Sequence, residues 1–252
     1  MKRLRGSVLM MALVSGLASP VRGADDKEVQ AVLDKGIKAL GGADKLRAVK
    51  PFTWKAKGKI SFGGNENEFS STATVQGLGH LRSEFEGEFG GNKVKGVTVL
   101  SGDKGWRKFG DMGMELDKDG VANEKRSLYL LAIPVTLVPL KGKGFKVETA
   151  GTEKVGDKPA AVLKVTGPDG KDFKLYFDQK SGLPVKQVAK VIGFMGEEFT
   201  QETTFAGYKD FDGIKKATKV EGKRDGEKWI EQEITDFKPI EKVDPKTFTE
   251  PK

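Results

Sequence analysis

The chain has no cysteine in 252 residues. That absence excludes disulfides, thiolate metal sites, cysteine nucleophiles and a lipid-modified N-terminal cysteine. Histidine is nearly absent too, with His80 the only one. Metal sites gather several ligands, and a single histidine beside Leu81 and Arg82 reads as a cross-strand residue, so no metal is expected. No nucleotide-binding glycine loop and no nucleophile elbow occur. No low-complexity linker or block of like charge divides the chain. The apolar run at residues 7–17 is too short to cross a bilayer, which takes about 20 residues.

That run has a different reading. Lys2, Arg3 and Arg5 precede it, Pro20 breaks it, and Val21-Arg22-Gly23 suits a cleavage site before Ala24. The pattern predicts an export signal over residues 1–23 and a single domain over 24–252. The exported product is expected to be periplasmic, soluble and, without cysteine, not lipid-anchored. Cleavage removes Lys2, Arg3, Arg5 and Arg22 and no acid, so the formal charge of +8 falls to +4. So mild an excess favours transient contact with anionic membrane surfaces and does not point to nucleic acid.

Carboxylate groupings carry no catalytic pattern. Asp169, Asp172 and Asp178 surround Gly170 with ordinary turn spacing rather than that of a calcium loop. Strand alternation puts Glu231 and Glu233 on one wet face. The lysines at 55, 57 and 59 likewise form the solvated stripe of a strand, with docking to anionic headgroups as the alternative. With no nucleophile–base pair and no metal cluster in view, an enzyme is the least favoured class.

What the chain does have is glycine, 33 residues of it, mostly between β-type runs. Residues 163–191 are the clearest case. Leu163-Lys164-Val165 leads to a turn at Gly167-Pro168-Asp169-Gly170. A strand follows over residues 173–178, then a turn at Ser181-Gly182 and a new strand from Leu183. Tyr176 and Phe177 are adjacent, so both faces of the middle strand need apolar neighbours or a ligand. Residues 52–62 alternate cleanly, with Trp54, Ala56 and Ile60 opposite Lys55, Lys57 and Lys59. About a dozen such strands follow one another through short connections. Residues 25–40 have helical spacing and stop at Gly41-Gly42. Residues 111–120 read as loop, Asn123 as a helix cap, and residues 127–133 as a short helix apolar nearly all round, bounded by Pro134. The fold class is mainly β (α+β). A single large antiparallel sheet must curl or form a half-open barrel, with an N-terminal helix and a short apolar helix besides.

Three stretches carry a family resemblance. They are Gly41-Gly42-Ala43-Asp44-Lys45-Leu46, Leu175-Tyr176-Phe177-Asp178 with Ser181-Gly182-Leu183, and Tyr208-Lys209-Asp210-Phe211-Asp212-Gly213-Ile214 with Phe248 and Pro251. Together they resemble the periplasmic lipoprotein carriers, or outer-membrane lipoprotein-sorting proteins, over nearly the whole chain after residue 23. The resemblance implies a half-open β-barrel whose concave face is covered by helices, with residues 127–133 as cover. The cavity between them would hold a lipid or the acyl chains of a lipidated protein, with no cofactor. Its lining would come from Trp54, Ile60 and Trp106 on strands, from Leu128, Tyr129, Leu131 and Ile133 on the cover, and from Tyr176 and Phe177 on the meander. Residues 102–120 and the flanks of 127–140 would supply the motion for release. A carrier is the leading reading. A periplasmic sensor that binds a lipid or protein signal and one signalling partner is the alternative.

Overall fold

The structure is a computed structural model, and it describes residues 22–47, 51–62, 64–193 and 196–252. The proposed export signal lies outside the described residues, apart from Arg22 and Gly23, which begin the first helix. Helix α1 (Arg22–Leu40) buries Val29, Leu33, Ile37 and Leu40, the stripe set by their spacing. Gly41 and Gly42 end it in positive φ, and the Gly42 N–H returns to the Ile37 carbonyl. A short helix α2 (Ala43–Arg47) follows.

Six strands come next: β1 (Phe52–Phe62), β2 (Asn65–Gln76), β3 (His80–Phe89), β4 (Asn92–Ser101), β5 (Lys104–Phe109) and β6 (Met112–Glu115). Helix α3 (Lys118–Thr136) and a 3-10 turn (Val138–Lys141) interrupt them. Seven more strands complete the sheet: β7 (Lys146–Val155), β8 (Lys158–Thr166), β9 (Asp172–Asp178), β10 (Pro184–Ile192), β11 (Glu198–Phe211), β12 (Ile214–Arg224) and β13 (Glu227–Pro239). A last 3-10 turn (Pro245–Phe248) lays Phe248 against His80.

All thirteen strands form one antiparallel sheet in the order β6-β5-β4-β3-β2-β1-β13-β12-β11-β10-β9-β8-β7. The sheet is thus two meanders, or arms, joined at one seam between β1 and β13. The arms approach closely there. A Cβ on Gly58 of β1 would come within 2.0 Å of the Glu231 carbonyl oxygen on β13, so only glycine fits. The outer edges β6 and β7 do not pair, and the barrel stays open. Because α3 connects β6 to β7, the chain must carry it from one edge to the other across the concave face. A flat sheet of this width would be about 58 Å across at ~4.8 Å per strand, whereas 19 helical residues reach about 28 Å. Curling brings both arms onto the helix.

The inner face carries the core. Phe52, Trp54, Ala56, Val75, Leu81, Leu100, Ile234 and Phe237 pack beneath Leu128, Ala132 and Val135 of α3. On the other flank Leu163, Leu175, Phe177 and Ala189 pack with α1 and with Leu130, Ile133 and Leu137.

Three local expectations are corrected. Residues 111–120 are not all loop, since Met112–Glu115 forms the edge strand β6 and α3 begins at Lys118. The helix cap is Asp117, whose side chain accepts from the Gly120 N–H, and not Asn123. Pro134 does not end the helix but lies within it.

Candidate functional site

The concave face and the helix across it make up the candidate site. Its helix is apolar on two flanks because each flank meets a different arm. Polar side chains fix it to both. On one side Glu124 accepts from Arg107 of β5 at 2.6 Å. On the other Arg126, only 3% exposed, spends its guanidinium on four acceptors. Its Nε donates to the Lys190 carbonyl of β10 at 2.8 Å and its Nη2 to the Asp172 carbonyl of β9 at 3.1 Å. Its Nη1 reaches the Tyr129 hydroxyl at 2.6 Å and Asp169 Oδ2 at 3.0 Å. A buried guanidinium is tolerable only when its donors are satisfied in this way. Burial works against the Asp169 carboxylate, but the Tyr129 hydroxyl, the Lys171 backbone N–H and the Arg126 charge outweigh it and hold its pKa below the ordinary carboxylate value. Burial and the hydrogen bond to Asp169 push the Tyr129 hydroxyl upward.

Two spaces open on this face. One, of about 430 Å³, lies where α2 and the C-terminal end of α3 meet the central strands. Its walls are mostly apolar, with Leu46, Phe52, Val135, Ile214 and Phe237, and Lys45, Asp212 and Glu241 contribute charge. The other, of about 270 Å³, lies between the first turns of α3 and the β3–β5 arm, with Phe85, Thr98, Phe109 and Ser127 in its wall. Among the described residues no group of three or more histidines and acids could hold a metal ion, and no helix is long and apolar enough to cross a membrane.

The nine residues expected to line a cavity divide by face. Trp54, Leu128, Tyr129, Ile133 and Phe177 are buried between sheet and helices, and Leu131 is partly buried there. They divide between the two packed flanks, Trp54, Leu128 and Leu131 on one and Tyr129, Ile133 and Phe177 on the other, and none of them walls either space. Ile60 shares the inner face of Trp54 by alternation but is only half-buried and belongs to neither packed flank. Trp106 and Tyr176 are corrections, because both point outward. Trp106 alternates with Gly105, which faces Leu116, and with Arg107, which faces α3. Tyr176 packs with Ala160 and Val162 on the outer face, donates its hydroxyl to Glu153, and carries Lys186 over its ring. The adjacency of Tyr176 and Phe177 does mark a strand covered on both faces, but the outer cover is other side chains of the sheet.

The sequence reading passed over Arg107, Glu124, Arg126, Gln187 and Lys216. Arg126 and Tyr129 are three apart on a helix, a spacing that brings side chains together. Lys216 stands in the apolar phase of a strand, between Ile214, Thr218 and Val220, where alternation calls for an inward side chain.

No family model matches the chain, and no curated protein matches it by sequence. Solved structures do. A LolA superfamily protein, NE2245 from Nitrosomonas europaea, superimposes with a TM-score of 0.58 at 14% identity, covering 88% of this chain and 97% of that one. A DUF1329 family protein from Desulfovibrio piger gives 0.54 at 13% identity, with the same two coverages, 88% and 97%. An outer membrane lipoprotein-sorting protein domain from Vibrio parahaemolyticus gives 0.51 at 10% identity over 86% of this chain and 97% of its own. The chain therefore has the fold of LolA superfamily and lipoprotein-sorting structures, the group its turns and aromatics resemble.

Proposed function

We propose that the protein is an exported binding protein that holds an acyl chain of a lipid or lipoprotein against the inner face of its half-barrel. In this reading residues 1–23 are removed on export, residues 24–252 form one half-barrel domain, and the product works in the periplasm as a carrier. The observation that carries it is the apolar space of about 430 Å³ beneath the end of α3, bounded by Leu46, Phe52, Val135, Ile214 and Phe237. Pockets of a few hundred cubic ångströms with mostly apolar walls suit small ligands, and burying an acyl chain is favourable by ~0.8 kcal/mol per methylene. The fold shared with LolA superfamily and lipoprotein-sorting structures supports the same reading.

The test is binding of a fluorescent fatty acid to the wild-type protein and to Val135→Trp. Val135 walls the space, and an indole there occupies part of it. The expected result is saturable binding by wild type and at least tenfold weaker binding by a variant that keeps its wild-type circular dichroism. Equal affinity would remove this space as the acyl site, and no binding by wild type would remove the carrier reading.

A further inference from the structure

Among the described residues seven polar or charged side chains are buried: Asn67, Glu124, Arg126, Thr136, Gln187, Lys216 and Thr218. Six have hydrogen-bond partners. Asn67 donates to the Asn65 carbonyl, Thr136 to that of Leu46, Gln187 to that of Leu130, and Thr218 to that of Gly207. Glu124 and Arg126 are held as described above. Lys216 alone has neither an ion pair nor a hydrogen bond among the described residues. It is 8% exposed, and its Nζ stands 5.3 Å from the centre of the Trp54 ring. A cation–π contact replaces only part of the hydration an ammonium loses. Every side-chain nitrogen or oxygen sealed from solvent among the described residues has a hydrogen-bond partner, so the Lys216 Nζ keeps a small contact with solvent, and a ligand can reach it where no protein group does.

Its position indicates which ligand. Lys216 lies on the inner face of β12, and Trp54 beneath it is stacked on Phe52 at 5.6 Å. Phe52 is a wall of the apolar space, and so is Ile214, two residues before Lys216 on the same face. Lys216 and Trp54 are not themselves walls of that space, but each neighbours one of its walls, Ile214 and Phe52. The residue directly opposite Lys216 on β11 is Lys209. Lys209 is exposed and keeps its charge in water, so the cation left without a counter-charge is Lys216. No described carboxylate supplies that counter-charge.

We propose that Lys216 receives the anionic head of the bound amphiphile, a carboxylate or phosphate whose acyl chain occupies the adjoining apolar space. The inference rests on the acyl-binding reading and adds the charge of the ligand to it. Trp54 is then the platform that keeps the ammonium in place until the head arrives. A neutral acyl ligand leaves Lys216 unpaired and binds less well.

The experiment compares dodecanoate with dodecanol, and with acetate as a head without a chain. Each competes against a fluorescent fatty-acid analogue on wild type, Lys216→Met and Lys216→Gln. Wild type is expected to prefer dodecanoate over dodecanol by roughly tenfold or more, the worth of one charge-assisted contact. Both variants are expected to lose that preference while still binding dodecanol as wild type does. Acetate is expected to compete only weakly. A wild type that binds both twelve-carbon ligands equally, or variants that keep the preference, would overturn the role of Lys216 and leave the carrier reading standing. Acetate that competes as well as dodecanoate would overturn the amphiphile, in favour of a site for small anions. A wild type that binds neither twelve-carbon ligand would overturn both readings. Retained dodecanol binding shows that each variant is folded, so loss of dodecanoate binding alone is not a folding defect.

Discussion

Lys216 bears an energetic signature that can be read without any ligand. Desolvation, with no acid to offset it, pulls its pKa from the usual 10.5 down to about 8. Between these values the unfolded chain holds a proton that the folded chain has released. Stability therefore rises with pH through that window, and below about pH 8 the full cost of the buried charge is present. Lys216→Met is expected to stabilise the free protein by ~1–3 kcal/mol at pH 7. The gain should shrink towards zero by pH 10, measured by urea denaturation at both values. The same gain at both would mean that the methionine merely packs better. Residue by residue, the sequence was most legible where alternation was clean. Trp54 inward and Lys55 and Lys57 outward follow from β1 alone. Trp106 and Tyr176 were misplaced because being aromatic does not say which face a side chain takes; that is fixed by the register of β5 against β4 and of β9 against β8. Lys216 stands in the inward phase of its strand, and its charge conceals it.

Helix α3 holds the clearest conflict between local rules and the fold. A proline inside a helix lacks the N–H that would bond the carbonyl four residues back. For Pro134 that carbonyl belongs to Leu130, and it is buried. The structure satisfies it from outside the helix, because Gln187 Nε2 on β10 donates to it at 3.2 Å. The sequence breaks the helix at Pro134 because the substitute donor lies 57 residues away. The charged opening turns, from Lys118 to Arg126, hid the helix start in the same way, since their partners lie on the strands of both arms. The edge strand β6 was missed because Met112-Gly113-Met114 carries no β-branched residue and is exposed. Gln187→Leu is expected to leave the Leu130 carbonyl unpaired and to cost about 1–3 kcal/mol. Pro134→Ala in that background returns a backbone donor to the same carbonyl and should recover much of the loss. A double-mutant cycle in chemical denaturation measures this coupling. Additive effects would mean that the two residues act separately.

At the scale of the whole molecule the two arms meet through one strand seam and one helix. The seam of β1 with β13 is a continuous ladder from Phe52 to Ile60, with one bulge at Lys55 and Ala56. The open side has no ladder, since β6 and β7 do not pair, so the width of the opening is set by what α3 holds. That attachment is polar and local. Arg107 with Glu124 serves one arm, and Arg126 with Asp169, Asp172 and Lys190 serves the other. Apolar contacts between helix and sheet tolerate small sliding, whereas a guanidinium with four acceptors has one geometry. The Arg126 side should therefore govern the opening. The native chain has no cysteine, so two introduced cysteines can be labelled without background. Met112 on β6 and Lys154 on β7 are both exposed and lie on opposite edges. Spin labels at Met112→Cys and Lys154→Cys are expected to give one narrow distance distribution in the otherwise wild-type protein. Adding Arg126→Ala should broaden it and shift it to longer distances, because Asp169 loses its cation and the Lys190 and Asp172 carbonyls lose their donor. An unchanged distribution in a folded Arg126→Ala protein would mean that the apolar flanks of α3 alone fix the arms.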